Sequence, residues 1–225
     1  MNQKIEVLDK GFVQYVEHLG SDLSVVNAAR CSFDKQHEEF DEEKDTKLIN
    51  YLAREKHLLP FRHPVVTLRI SCPIFVLRQL GKHQVGFSWS EVSRRYITGE
   101  PEFWIPTPDQ YRSRPDNIKQ GSEGKIAKPL RQPAFEIQNS IQEKSLEAYN
   151  NLLDLGVAPE QARAVLPQSM YTTCVVTGTL LGWHHLYTLR TEEHTQRETQ
   201  EYAQEIGLIM SELFPKSWSA LRKHS

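Results

Sequence analysis

Three observations predict a mixed α and β, helix-rich chain organised as one domain. Val66, Leu68, Ile70 and Cys72 alternate with Thr67, Arg69 and Ser71, the period of a half-buried strand. Tyr202, Ile206, Ile209 and Leu213 recur at spacings of four, three and four, the stripe of an amphipathic helix. No internal repeat and no low-complexity tract divides the 225 residues into halves.

The elements follow in order. Ile5 and Val7, then Phe12, Val13, Tyr15 and Val16, flank the turn signal Asp9-Lys10-Gly11 and predict an N-terminal hairpin. Asp22 can cap a short helix through Val25, Val26, Ala28 and Ala29. Residues 34–45 hold seven carboxylates against Lys35 and Lys44, a solvated loop running into a helix whose inner face carries Leu48, Ile49 and Leu52. After the strand at 66–72, Pro73 suits the first position of a helix over IFVLRQLGK. Prolines, glycines and serines recur through 97–133, with few apolar residues after Ile105, which predicts a long irregular loop. Helical periodicity returns at Ala134, Ile137, Ile141, Ala148 and Leu152 and closes at Gly156. Two more helices are predicted, from about Thr179 to Arg190 and from about Gln196 to Phe214.

Composition narrows the function classes. A formal net charge of −2 argues against a protein that coats nucleic acid or anionic membrane with its whole surface. No apolar run approaches the ~20 residues of a membrane span, and the N-terminus lacks the pattern of a signal peptide. Cys31, Cys72 and Cys174 are widely spaced, form no CxxC, and sit in apolar or strand-like contexts that read as core. A reduced, cytoplasmic protein is the expectation.

Charge is segregated. Between Arg62 and Arg95 stand six cations (Arg62, Arg69, Arg78, Lys82, Arg94, Arg95) against one acid, Glu91. Phe75, Arg78, Gln79 and Lys82 share one face of a helix whose other faces carry Ile74, Val76, Leu77 and Leu80. A polar stripe on a mostly buried helix should meet something anionic, because unpaired buried charge is costly. Gly81 fits a helix C-cap, and Gly86 lets the next loop approach a ligand closely. Ser88, Ser90, Glu91, Ser93, Arg94, Arg95 and Tyr96 then suit a phosphorylated small molecule carrying a flat ring. The plainer reading pairs these cations with the acidic 34–45 stretch.

The run RQLGKHQVGFSWSEVSRRY (Arg78–Tyr96) resembles the signature of the flavin-dependent thymidylate synthases (ThyX), in which Arg-His-Arg is followed after seven residues by Ser. VLDKGFVQYVEHLGSDLSVVNAARCSFD, HLLPFRHPVVTLRISCPIFVLRQ, PEFWIP, ARAVLPQSMYT and LYTLRTEEHTQRETQEYA resemble further family segments in the family's order. Two departures mark a divergent, phage-like subgroup. Lys82-His83-Gln84 replaces Arg-His-Arg, and eight residues (85–92) precede Ser93. Lysine is a point charge where arginine offers a planar fork, so that contact must differ.

The resemblance implies an α+β fold over 1–225, with a small antiparallel sheet, several long helices and the irregular loop at about 97–133. It implies reductive methylation of dUMP to dTMP, with methylenetetrahydrofolate as carbon donor and FAD reduced by NADPH. It places Gln79, Lys82, Ser93, Arg94, Arg95, Arg163 and Arg190 at the nucleotide. Arg190 is the catalytic candidate, set against the uracil ring to stabilise charge when N3 loses its proton. Ser32, His57, Lys82, His83, Gln84, Glu91 and His185 are the flavin-side matches, with Thr179 and Leu181 where the family often has Asn and Arg. It also implies a homotetramer with sites shared between chains, in the host cytoplasm if phage-encoded. Ser93 beside arginines reads more simply as a ligand than as a nucleophile, since no base is placed by sequence.

Two rivals rest on other residues. A metal-dependent hydrolase would use His184, His185 and His194, yet no HExxH spacing occurs and no metal is expected. A nucleic-acid-binding module would use the basic 62–95 segment with Phe75, Phe87, Trp89 and Tyr96, but carries no recognisable motif. GSEGK at Gly121–Lys125 lacks the spacing of a phosphate-binding loop, and no GxGxxG occurs.

Overall fold

The computed structural model describes residues 4–97, 99–116 and 121–225. Five strands among them form one antiparallel sheet in the order β1-β2-β3-β5-β4. They are β1 (Lys4–Val7), β2 (Gly11–Leu19), β3 (Val65–Pro73), β4 (Phe87–Glu91) and β5 (Tyr171–Thr179). The predicted hairpin is β1 and β2, paired from Val7↔Gly11 to Lys4↔Gln14. β3 carries the predicted alternation of residue types but is not half-buried: Val66, Leu68, Ile70 and Cys72 are fully buried on one face, and on the other Thr67 and Ser71 are buried too, leaving Arg69 exposed.

Helices α1 (Asp22–Arg30), α2 (Lys44–Arg54), α3 (Ile74–Leu80), α4 (Lys128–Asp154), α5 (Pro159–Ala162), α6 (Leu180–Arg190), α7 (Arg197–Leu213) and α8 (Pro215–Lys223) complete the fold. The core lies between the inner sheet face and a helical layer containing α6, α7 and α8, where Trp183, Tyr202, Ile206, Phe214 and Trp218 are buried. Tyr202 ties α7 to the sheet by donating to the Ser71 carbonyl at 2.8 Å. No described helix is long and apolar enough to cross a membrane.

Several expectations need correction. The sequence patterns predict no strand at β4 or β5 and no helix at α5 or α8, all of which are present. The loop at about 97–133 includes Thr98 and residues 117–120, which lie outside the described residues, and it ends earlier than expected, because α4 begins at Lys128. Pro129 sits in its first turn, where no N–H is needed, and Pro133 lies inside it. Cys31 is exposed, in a short 3-10 turn at Cys31–Phe33, whereas Cys72 and Cys174 are core as expected. Asp22 opens α1 but caps a different helix. Its carboxylate accepts from the backbone N–H groups of Lys216 (3.0 Å) and Ser217 (2.9 Å) at the start of α8.

The acidic stretch does not pair with the basic one. Asp45 is fully buried and bound by Arg30 at 2.6 Å, and Asp41, Glu42 and Glu43 pair with Lys44, Lys216 and Lys47. The α7 stripe is core, but Ile137 and Ile141 of α4 are exposed. Across 27 residues, α4 buries only Gln142 and Tyr149.

Removing the Asp22 cap should lower stability without touching the basic segment. Asp22→Ala is expected to reduce the unfolding free energy by about 1–2 kcal/mol in urea titrations. An unchanged midpoint would show that the two amide contacts contribute nothing.

Candidate active site

β3 runs directly into α3 and β5 directly into α6, and the C-terminal ends of these two helices meet. Arg190, the last residue of α6, donates from Nη2 to the backbone carbonyl of Gln79 at 3.0 Å and from Nε to His83 Nε2 at 3.1 Å. An imidazole nitrogen that accepts must be unprotonated, so the ring is neutral and its hydrogen is on Nδ1. Burial, then the charges of Arg190 and His185, lower His83 to about 4. Burial also lowers Arg190 from its ordinary value, against the opposing effect of Glu192. The Gln79 side chain donates to Gln196 Oε1 at 2.7 Å, a partner from the turn before α7 that the sequence did not single out.

The segment read as a loop, Val85–Val92, is largely β4. Phe87 packs edge-on against Trp183 with ring centroids 4.8 Å apart, and Gly178 makes room for it: a Cβ there would lie 2.4 Å from the Phe87 ring. Gly86 turns the chain into the strand at φ +80, a conformation that favours glycine, and its carbonyl accepts from Thr179 N at 2.9 Å. Trp89 Nε1 donates to the His83 carbonyl at 3.0 Å, which locks the turn Gly81–Gly86 against the strand. In that turn Lys82 is exposed, and Gln84 bonds the Gly81 carbonyl at 2.6 Å.

Beyond β4, Glu91, Arg94, Glu160, Arg163, Tyr171 and Thr172 help line a cavity of about 460 Å³. Glu91 accepts from the Thr172 hydroxyl at 2.8 Å, and Arg94 donates to the Gly99 carbonyl. Arg95 pairs with Glu160 at 3.5 Å, and its N–H donates to Ser93 Oγ at 3.3 Å. Ser93 has no base beside it among these contacts. Burial pushes Cys174 up to about 12 and Cys72 well above the usual thiol range, so neither is a thiolate.

In one chain the expected residues form two groups, with Ser32, His57 and His185 apart from both. Gln79, His83 and Arg190 are bonded together, and Glu91, Arg94 and Arg163 share the cavity, with Ser93 and Arg95 at its edge. Ser32 is exposed in its 3-10 turn, and His57, just past α2, packs edge-on against Tyr51. Among the described residues, no hydrogen bond or ion pair joins Ser32 or His57 to either group. His185 lines a separate cavity of about 300 Å³ with His184, Leu181 and Glu192, and burial and Arg62 lower it from its ordinary value. Thr179 caps α6, accepting from Gly182 N at 3.0 Å.

The rivals lose their footing here. His184 is buried, with Nε2 bonded to Ser225 Oγ at 2.9 Å, and among the described residues no group of three or more His, Cys, Asp or Glu side chains gathers as a metal site. Of the four aromatics that a nucleic-acid surface would use, Phe75, Phe87 and Trp89 pack against the core, and Tyr96 alone is exposed.

The arrangement defines a mixed α+β enzyme whose unneutralised arginines, at a β-strand edge and two helix ends, are suited to an anionic, flat-ringed ligand. The family model described as "Thymidylate synthase complementing protein" matches residues 14–216. A flavin-dependent thymidylate synthase of Thermosipho melanesiensis is 41% identical over 221 residues, covering 98% of this chain and 94% of the relative. That of Thermus thermophilus is 37% identical over 220 residues, covering 98% and 78%. Among solved structures, the UMP/dUMP methylase PolB from Streptomyces cacaoi bound with 5-Br dUMP is similar, with a TM-score of 0.86, 31% identity and 97% of each chain covered. The chain belongs to the flavin-dependent thymidylate synthase family.

Two histidines held near 4 give the fold an acid sensitivity. Burial first, and then neighbouring charge, lowers both His83 and His184 to about 4, below the ~6.5 of the unfolded chain. In that window the unfolded chain binds more protons, so stability is lost as pH falls from about 6.5 toward 4. Chemical denaturation at stepped pH should show this slope, flattened in His184→Gln. An identical slope in the variant would remove His184 from the effect.

Proposed function

We propose that this chain methylates dUMP to dTMP reductively, taking the carbon from methylenetetrahydrofolate, with FAD as cofactor and NADPH as reductant. One observation supports it above the others. Of the six cations between Arg62 and Arg95, only Arg95 forms an ion pair among the described residues, so the positive charge is left for a ligand.

The donor set fits a flavin dinucleotide. Lys82 is an exposed cation without an ion pair among the described residues, and no described protein group accepts from His83 Nδ1. With Gln84, Ser32, His57, Glu91 and His185, these would hold FAD, which when bound supplies the redox chemistry. Gln79, Lys82, Ser93, Arg94, Arg95 and Arg163 would hold the nucleotide, the arginines at its phosphate. Arg190 would stabilise negative charge on the pyrimidine as N3 loses its proton, making C5 more nucleophilic. Its two partners are neutral acceptors, so its full positive charge is available for that purpose.

We read 1–225 as one such domain. The separation of Ser32 and His57 from the other groups, with the exposed Ile137 and Ile141, supports a homotetramer whose sites are completed by neighbouring copies. A cytoplasmic location, in the host if the chain is phage-encoded, accords with this substrate set.

Protein reconstituted with FAD should be yellow and should oxidise NADPH only with dUMP and methylenetetrahydrofolate present, forming dTMP. Failure to take up FAD, or unmethylated dUMP, overturns the reading. Arg163→Ala should raise KM for dUMP about tenfold, the scale of one charge-assisted bond, with kcat less affected. An unchanged KM would take Arg163 out of the site. Arg190→Ala should keep the flavin and lose methylation, and undiminished turnover would remove Arg190 from the chemistry.

A further inference from the structure

We propose that His83 is a positioning residue, whose neutral Nε2 fixes the orientation of the Arg190 guanidinium. This rests on the reading that Arg190 serves the pyrimidine. The guanidinium is planar and can rotate about the end of a long flexible stem, so a single hydrogen bond leaves its plane free. Two acceptors remove that freedom. Arg190 Nη2 is held by the Gln79 carbonyl at 3.0 Å and Nε by His83 Nε2 at 3.1 Å, acceptors from α3 and from the turn that follows it. The remaining Nη group is left free of both.

His83 is itself anchored. Its N–H bonds the Leu80 carbonyl at 3.1 Å, and its own carbonyl accepts from Trp89 Nε1 at 3.0 Å. Trp89 packs against Phe87, and Phe87 against Trp183 in the core. The imidazole is therefore aimed from the sheet, and Arg190 takes its direction from the imidazole.

The charges around the ring keep it an acceptor. From α6 come Arg190 and His185, while Glu192 acts on Arg190. The charges acting on the ring, Arg190 and His185, both oppose its protonation, and no carboxylate offsets them. A protonated ring would present N–H to a guanidinium, replacing an attraction with a repulsion. A histidine that served only as a flavin ligand would need neither this tautomer nor this neighbour.

The test separates the contact from the chemistry. Protein labelled with 15N-histidine, with His83 assigned by loss of its signal in His83→Gln, should show an unprotonated Nε2 at pH 7. That nitrogen should shift in Arg190→Ala. Gln places an acceptor near the position of Nε2, and Ala places none. His83→Ala is therefore expected to lower kcat by about 10- to 100-fold, the cost of misplacing a catalytic group by about an ångström, with KM for dUMP moving less. His83→Gln should recover most of that loss. A protonated Nε2 at pH 7, or a Gln variant as slow as the Ala variant, would overturn the proposal. If the tautomer is as expected but the wild-type protein leaves dUMP unmethylated, the positioning contact stands and the proposed function falls.

Discussion

Arg190 is a half-buried cation held at the junction of two helix C-termini, and much of the structure is arranged to tolerate it. It closes α6 and donates to a carbonyl in the last turn of α3, so the carbonyl ends of two helices meet at it. Each helix end carries partial negative charge, which favours a cation there by about 0.3–1 kcal/mol. The Glu192 carboxylate favours the same charge from a distance, and no ion pair closes on the guanidinium among the described residues. The guanidinium is stabilised without being neutralised, and its net charge survives into the site.

The sheet makes this junction possible. β3 and β5 are antiparallel neighbours over nine pairs, from Val65↔Thr179 to Pro73↔Tyr171. Each strand passes straight into a helix, so α3 and α6 start from opposite ends of the same strand pair. At 7 and 11 residues the helices are about 10 and 16 Å long, together close to the ~30 Å length of the strands beneath them. They run back along the sheet and meet end to end. A longer α3 would overrun Arg190, and a shorter one would leave it without its carbonyl. α3 gives way at Gly81, whose φ of −68 is ordinary helical backbone, to the turn that carries His83.

Local signals in the sequence carried the helices and the charge segregation but little of the sheet's second half. Alternation identified β3, and the 3.6 period identified α7, because both depend on neighbours in sequence. β4 was hidden because Gly86 and three serines or glutamates make Phe87–Glu91 look like a loop; its inward residues, Phe87 and Trp89, declare a strand only once Gly178 and Trp183 are seen to receive them. Asp22 read as the cap of its own helix, yet its amide partners lie almost 200 positions away, at Lys216 and Ser217. The site divides in the same way. Residue types around Lys82–Tyr96 marked it as basic and ligand-facing, while the Arg190–His83 and Gln79–Gln196 contacts join segments more than 100 positions apart that no spacing rule connects. Cys31 misled because an apolar sequence context does not guarantee burial at the end of a surface helix.

The departure of Lys82-His83-Gln84 from the family's Arg-His-Arg takes on meaning in this geometry. The middle position keeps the histidine, the one residue of the three whose ring bonds Arg190. The flanking positions are exposed, and Gln84 spends its amide on the Gly81 carbonyl within the turn. An arginine at 84 would add a second cation close to His83 and Arg190, whereas glutamine steadies the turn and adds no charge. Lysine at 82 keeps one solvated point charge, which can meet an anion without a fixed fork. The outer positions can therefore vary with the length of the following loop, while a residue that can accept from Arg190 is required at 83. The constraint on this motif is the neutrality of its centre rather than the count of its cations.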